Sequence, residues 1–357
     1  MNKYLIVFRH EVNTDLLLGY HAIDIETFDT MPEIATCKLD ANYASALSSH
    51  NEIKSIEADD ITTFDAQTKS YAFDLMEVQK FHDIGITGKG IKVAILDTGV
   101  QRHEDLIIKG GFNAYDSKIP YDKDLVNNHG TRVAGIIAMQ DNDKGGIGIA
   151  PGVELYAVRI DNGNGSLNRT DFTTQIKAID WCIANKMDAI NCSFSSSTDS
   201  TARKLAFKRA YDAGIAIFCS AGNYQTSGDD TSETMVYPSK YPFVITVANV
   251  TENKTRYVTS SVGKRLNFSS GGTLIYSTHT DSGKEVSANY NSGTGTSYAT
   301  PAVLGMYCLY KEMYKEDRDR TLERMYLNAE RLGSLKEYGA GIPKFPTDDY
   351  ENIQVWR

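Results

Sequence analysis

Nowhere in its 357 residues does the chain carry an apolar run approaching the roughly 18 residues a membrane-crossing helix needs, so no membrane partner is expected. It also lacks a basic surplus. With 37 Lys and Arg against 46 Asp and Glu, the net charge of −9 argues against nucleic acid or an anionic membrane as a partner. Its five cysteines, Cys37, Cys182, Cys192, Cys219 and Cys308, are odd in number, scattered and without a CxxC spacing, which excludes a disulfide framework and fits reducing surroundings. No lysine follows a glycine-rich loop, so a nucleotide-binding reading fails. Internal repeats and low-complexity segments are missing too. The first apolar stretch, YLIVF, is five residues long and runs into Arg9, His10 and Glu11, short of an export signal and better read as a strand. A cytoplasmic product is therefore expected; a secreted one would need a leader trimmed from the chain as given.

What is present is concentrated in three short segments. The run IKVAIL, apolar and β-branched like a buried parallel strand, ends at Asp97 before a Thr-Gly turn, which puts a carboxylate at the carboxyl end of a strand. His129 precedes GTRVAGIIAM, where Val133, Ile136 and Ile137 recur at helical spacing, so an imidazole stands at a helix start. Ser297 lies between GTG and YATPAVLGMYCLY, a glycine-rich turn feeding a helix with Pro301 in its first turns. A serine hydroxyl is a weak nucleophile at neutral pH. It needs an imidazole to take its proton and a carboxylate to hold that imidazole in one tautomer.

The chain order Asp, His, Ser and the motifs ILDTG, NNHGTRVAG and GTGTSYATP resemble those of the subtilisin-like serine proteases, over roughly residues 66 to 343. The resemblance implies a parallel sheet with helices on both faces, an expectation shared by the alternation of VELYAVRI, DAINCSF, IAIFCSAG and FVITVANV with helical stretches such as TTQIKAIDWCIANK. It assigns Ser297 as nucleophile, His129 as base and Asp97 as orienting carboxylate. AGIAIFCSAGN matches the segment that supplies the family's oxyanion donor, which implies that role for Asn223 together with the backbone N–H of Ser297.

Further positions follow from the same resemblance. VRIDNGNGSLN, with Gly163 and Gly165, and CSFSS, with Ser193, Phe194 and Ser195, are similar to the strands that pair with an extended substrate. Ser220, Ala221 and Gly222 lead into Asn223, and Val236 in MVYPSKYP stands where a glycine is common, shortening the primary pocket so that medium apolar side chains fit better than large aromatic ones. Calcium is the implied cofactor, with no catalytic metal; the matching side chains are Gln67, Asp105 and Asn142, hard oxygen donors on loops.

Residues 1–65 read as a separate small α+β unit resembling the ferredoxin-like propeptide of subtilisins, an inhibitor and chaperone. AQTKSYA resembles a mature amino terminus, which places self-cleavage between Asp65 and Ala66. Residues 66–346 would form the catalytic domain, and 347–357 a polar extension. The expected function is a serine endopeptidase acting on protein or peptide substrates and made as a self-processing zymogen. The alternative is a protease fold held by its propeptide, or an inactive one, acting as a binding or scaffolding protein.

Overall fold

The computed structural model describes residues 1–59, 67–123, 128–161, 169–225, 232–281 and 284–347. The proposed junction Asp65–Ala66, Gly163, Gly165 and nearly all of the carboxyl-terminal extension lie outside them. The chain divides into two compact units, Met1–Phe64 and Asp65–Arg357.

The first unit runs β1 (Asn2–Phe8), α1 (Thr14–Gly19), β2 (Ile23–Phe28), β3 (Met31–Leu39), α2 (Ala41–Leu47) and β4 (Ile53–Ala58). Its sheet has the order β2-β3-β1-β4, antiparallel throughout, the ferredoxin-like arrangement. Ile6 and Phe8 alternate inward from β1 and pack with Leu17, Cys37, Leu39 and Leu47. Both helices begin on a side-chain cap: Asn13 Oδ1 accepts from Leu16 N–H, and Asp40 Oδ1 from Asn42 N–H.

The second unit is α/β. After the short α3 (Tyr71–Leu75) and α4 (Val78–Asp83) come β5 (Lys92–Asp97), β6 (Ile108–Asn113), α5 (His129–Ala138), β7 (Glu154–Arg159), α6 (Phe172–Ala184), β8 (Ala189–Cys192), α7 (Thr201–Asp212), β9 (Ala216–Ser220), β10 (Ile245–Val250) and β11 (Phe268–Gly271). The seven strands form one parallel sheet of order β11-β10-β9-β8-β5-β7-β6. Alternate residues of β5 feed two cores: Val93 and Ile95 pack on one face, Ala94 and Leu96 on the other. Burial on both faces is why this strand reads as an unbroken apolar run. A hairpin of β12 (Ile275–His279) and β13 (Asn289–Gly293) leads to the long α8 (Thr296–Tyr314), followed by α9 (Arg318–Leu327), β14 (Ala329–Glu330), α10 (Leu335–Tyr338) and β15 (Ile342–Pro343).

Strand order reverses at β5, with β7 on one side and β8 on the other. In an open parallel sheet the crevice at such a switch point, beyond the carboxyl strand ends, is where ligands bind. Asp97 is the last residue of β5.

Candidate active site

The end of β5 and the start of α5 bring the first two of the three groups together. The Asp97 carboxylate, 4% exposed, meets the imidazole of His129 at the start of α5, whose Nδ1 lies 2.8 Å from Oδ1 and 2.9 Å from Oδ2. Thr98, the next residue, ties the two elements: its N–H donates to Asp97 Oδ1 at 2.8 Å, and its hydroxyl donates to the same oxygen while accepting Gly130 N–H at 3.0 Å. Gly130 is required there. A Cβ would sit 2.1 Å from the carbonyl oxygen of Gly99 and 3.0 Å from Asp97 Cβ, so any side chain would push α5 off the strand end.

Before His129, Asn128 adopts a left-handed conformation with φ 65°. Its amide is held on both sides, with Nδ2 2.9 Å from His279 Nε2 and Oδ1 accepting the Thr280 hydroxyl. Because His279 Nδ1 faces the carbonyl oxygen of Thr280 at 2.8 Å, Nδ1 carries the proton and Nε2 accepts from Asn128. Behind the imidazole stands the Tyr298 ring, 5.7 Å away between centroids, with the Arg132 guanidinium on the same ring.

Ser297 is the second residue of α8. Proline at position 301 has no N–H to give the carbonyl four residues earlier, so the Ser297 carbonyl is left open at the helix start. The Ser193 hydroxyl fills that vacancy, donating to Ser297 O at 3.1 Å while accepting from Asn191 Nδ2 at 3.0 Å. The Ser297 hydroxyl in turn faces Ser193 O at 3.5 Å. On the other side, Asn223 Oδ1 accepts both the N–H and the hydroxyl of Thr296 at 3.0 and 3.2 Å. Gly295, at φ 150°, leaves room for that amide, since a Cβ there would lie 3.3 Å from Asn223 Nδ2. Thr98, Ser193 through its hydroxyl, and Thr296 are supporting residues that motif reading passed over; Thr296 was within reach, standing beside Ser297.

A cleft of about 770 Å³ opens beside Asp97 and His129; Ser297 and Asn223 are not among the residues that line it. Asp97, His129, Ser193, Phe194, Ser195, Tyr224 and Val236 line it, and Tyr224 Oη meets Ser195 Oγ at 2.8 Å. Ser220, Ala221 and Gly222 do not line it; Ser220 and Ala221 are buried at the end of β9.

Residues 88–341 match the family described as the subtilase family, Peptidase_S8. The chain belongs to the subtilase family. A thermostable alkaline protease of Halalkalibacterium halodurans is 35% identical over 345 residues, 95% of this chain and 90% of that protein. Subtilisin DY of Bacillus licheniformis is 37% identical over 279 residues, 78% of this chain and 97% of its own length. Subtilisin E of Bacillus subtilis is 33% identical over 311 residues, covering 86% and 78%. This subtilase is thus a serine endopeptidase, a hydrolase of peptide bonds. Among its described residues no helix is long and apolar enough to cross a membrane.

Away from the cleft, the subtilase gathers Gln67, Asp105 and Asn142 around one loop. Asp105 is fully buried; its Oδ1 accepts Asn142 Nδ2 at 2.9 Å and Gln140 N–H at 3.1 Å, and its Oδ2 accepts Tyr290 Oη at 3.2 Å. Burial pushes its carboxyl up to about 6 against the pull of those donors. The Gln67 amide lies between the carbonyl oxygens of Gln140 and Gly146, at 2.5 and 2.8 Å. Among the described residues no three His, Cys, Asp or Glu side chains converge on a common metal position. Both amides present nitrogen here, Asn142 Nδ2 to the carboxylate and Gln67 Nε2 to the two carbonyls. The oxygens that suit a hard cation such as Ca²⁺ are therefore the Asp105 carboxylate and the main-chain carbonyls, joined by an amide oxygen only after a half turn of its side chain. Tyr290 was not foreseen: its ring covers Gly145, where a Cβ would lie 2.1 Å from Tyr290 Cζ.

All five cysteines are buried and free. Burial, and the neighbouring Cys219, hold the Cys192 thiol far above its ordinary range, so it is inert rather than nucleophilic.

Proposed function

We propose that this subtilase cleaves peptides with Ser297 as nucleophile, His129 as general base and then acid, Asp97 as the carboxylate that orients the imidazole, and Asn223 with the Ser297 N–H as oxyanion donors. The Asp97–His129 contact carries the reading. With its proton fixed on Nδ1 by a buried carboxylate, His129 keeps Nε2 as the basic nitrogen. Ser297 Oγ attacks the scissile carbonyl carbon as its proton passes to Nε2, and the carbonyl oxygen takes the negative charge. Collapse of that intermediate expels the amine, which takes the proton back from His129, and water then hydrolyses the acyl-enzyme by the same sequence. Thr296 supports the oxyanion role of Asn223: by occupying Oδ1 it turns Nδ2, the donor, away from itself.

The substrate backbone would extend between the Ser193–Ser195 strand and the segment of Gly163 and Gly165. The first unit serves as propeptide, residues 66–346 as the catalytic domain and 347–357 as an extension, with self-cleavage between Asp65 and Ala66. Gln67, Asp105 and Asn142, with the carbonyls of Gln140 and Gly146, would hold a structural Ca²⁺ that ties the start of the catalytic domain to the loop after α5. Five buried, unpaired thiols support work in a reducing compartment such as the cytoplasm.

Intact mass followed over time tests the processing claim. The wild type loses roughly its first 65 residues, and Ser297→Ala stays whole; loss of the segment from both, or from neither, overturns it.

A further inference from the structure

One wall of the cleft carries two guanidinium groups that form no ion pair among the described residues. Arg169, exposed just before α6, lines the cleft and has no ion-pair partner among the described residues. Phe172 and Gln175, in the first turn of α6, line it beside Arg169. Under the Phe172 ring, 4.2 Å from its centroid, lies the guanidinium of Arg203, which is fully buried. Among the described residues Arg203 donates to Thr198 O and Tyr241 Oη but to no carboxylate, and its third nitrogen has no partner.

The described carboxylates around this wall, Asp161, Asp171 and Asp199, already accept hydrogen bonds from other groups. Asp161 is bound through two oxygens by Arg159, Asp171 caps α6 on Thr174 N–H, and Asp199 accepts from Tyr241 Oη and Ser200 N–H. Gln175 adds a second kind of signal. Gln175 lines the cleft with only 3% of the residue exposed, and its buried Oε1 has no hydrogen-bond partner among the described residues. A buried polar group left unpaired costs about 1–3 kcal/mol, which a ligand at this wall would relieve. A half turn of the amide presents its two N–H donors instead.

We propose that Arg169 and Gln175, backed by Arg203 beneath Phe172, form a side-chain subsite that selects an acidic residue of the substrate peptide. This rests on the reading that the substrate lies in this cleft. The chain as a whole is acidic, at −9, so the preference is a local property of the wall and not of the global field.

The test uses processed enzyme and fluorogenic peptides identical except for Glu, Gln, Leu or Lys at each of the four positions before the scissile bond. Wild type prefers Glu to Lys at one of them by about tenfold in kcat/KM, and the ratio shrinks in 1 M NaCl because an exposed guanidinium is screened. Arg169→Glu reverses the preference at that same position, and Gln175→Met weakens it; melting temperatures confirm that both variants fold. Equal rates for Glu and Lys at all four positions, or a preference unmoved in Arg169→Glu, overturn the subsite while leaving peptide hydrolysis standing. A wild type that cleaves none of the peptides and does not react with a fluorophosphonate overturns the reading beneath it.

Discussion

Thr296 gives both its backbone N–H and its hydroxyl to one atom, Oδ1 of Asn223, at 3.0 and 3.2 Å. The residue beside the proposed nucleophile, Ser297, thereby sets the direction of the amide proposed to receive the oxyanion. Pre-oriented donors matter more than donors merely nearby, because no reorganisation is needed as charge develops.

Replacing the donor and releasing it therefore have different sizes. Asn223→Ala lowers kcat on the order of 10²- to 10³-fold, the loss typical of one oxyanion donor, with KM little changed. Thr296→Val keeps Asn223 but frees it on the hydroxyl side, and kcat falls about tenfold or less. Steady-state kinetics on one peptide substrate separate the two; equal losses would mean that the hydroxyl, not the amide, matters.

Asp97→Asn leaves the shape of the site intact and removes the charge that fixes the tautomer. An amide facing Nδ1 favours the wrong proton position, and kcat drops on the order of 10⁴-fold. Single-turnover rates measure it.

The strand that presents Asp97 was legible because both of its faces are buried, α5 because Val133, Ile136 and Ile137 recur at helical spacing, and α8 because a glycine-rich turn and Pro301 mark its start. Other parts were not. β6 contains Gly110 and Gly111, and β11 reads FSSG, so neither shows the β-branched run of a buried strand; both are strands because β7 and β10 pair with them. α1, only six residues long, offers too few turns for a period. Within the site the motif residues were readable one by one. The Ser193 bond to the Ser297 carbonyl was not, since it depends on a missing N–H at Pro301 and on two strands meeting a helix.

Calcium should act on stability rather than chemistry. In the Ser297→Ala background, which prevents self-digestion, calcium at 100 times its Kd contributes about 2.7 kcal/mol. That raises the unfolding temperature by about 5 °C over a chelated sample. Asp105→Ala removes the response. Calorimetry with and without chelator reads both, and a chelator-insensitive wild type would remove calcium from the account.

His82 predicts an acid limb in stability. Burial lowers its pKa below the ordinary 6.5, against the bond from its Nε2 to the Ile149 carbonyl and the fields of Asp141 and Asp83, with Lys69 adding to the lowering. The unfolded chain therefore binds the proton first. Stability from this group is complete above about pH 6.5 and is lost as pH falls below it toward the folded value. Urea midpoints of Ser297→Ala between pH 8 and 5 fall, and they fall less when His82→Gln is added. An identical slope in the two proteins would show that His82 contributes nothing.

The most direct measurement is the site of fluorophosphonate modification, mapped by peptide mass spectrometry on enzyme allowed to process. The account predicts one adduct, on Ser297, absent from Ser297→Ala and strongly reduced in His129→Ala. An unmodified Ser297 in the processed wild type, or an adduct that forms equally well without His129, would contradict it.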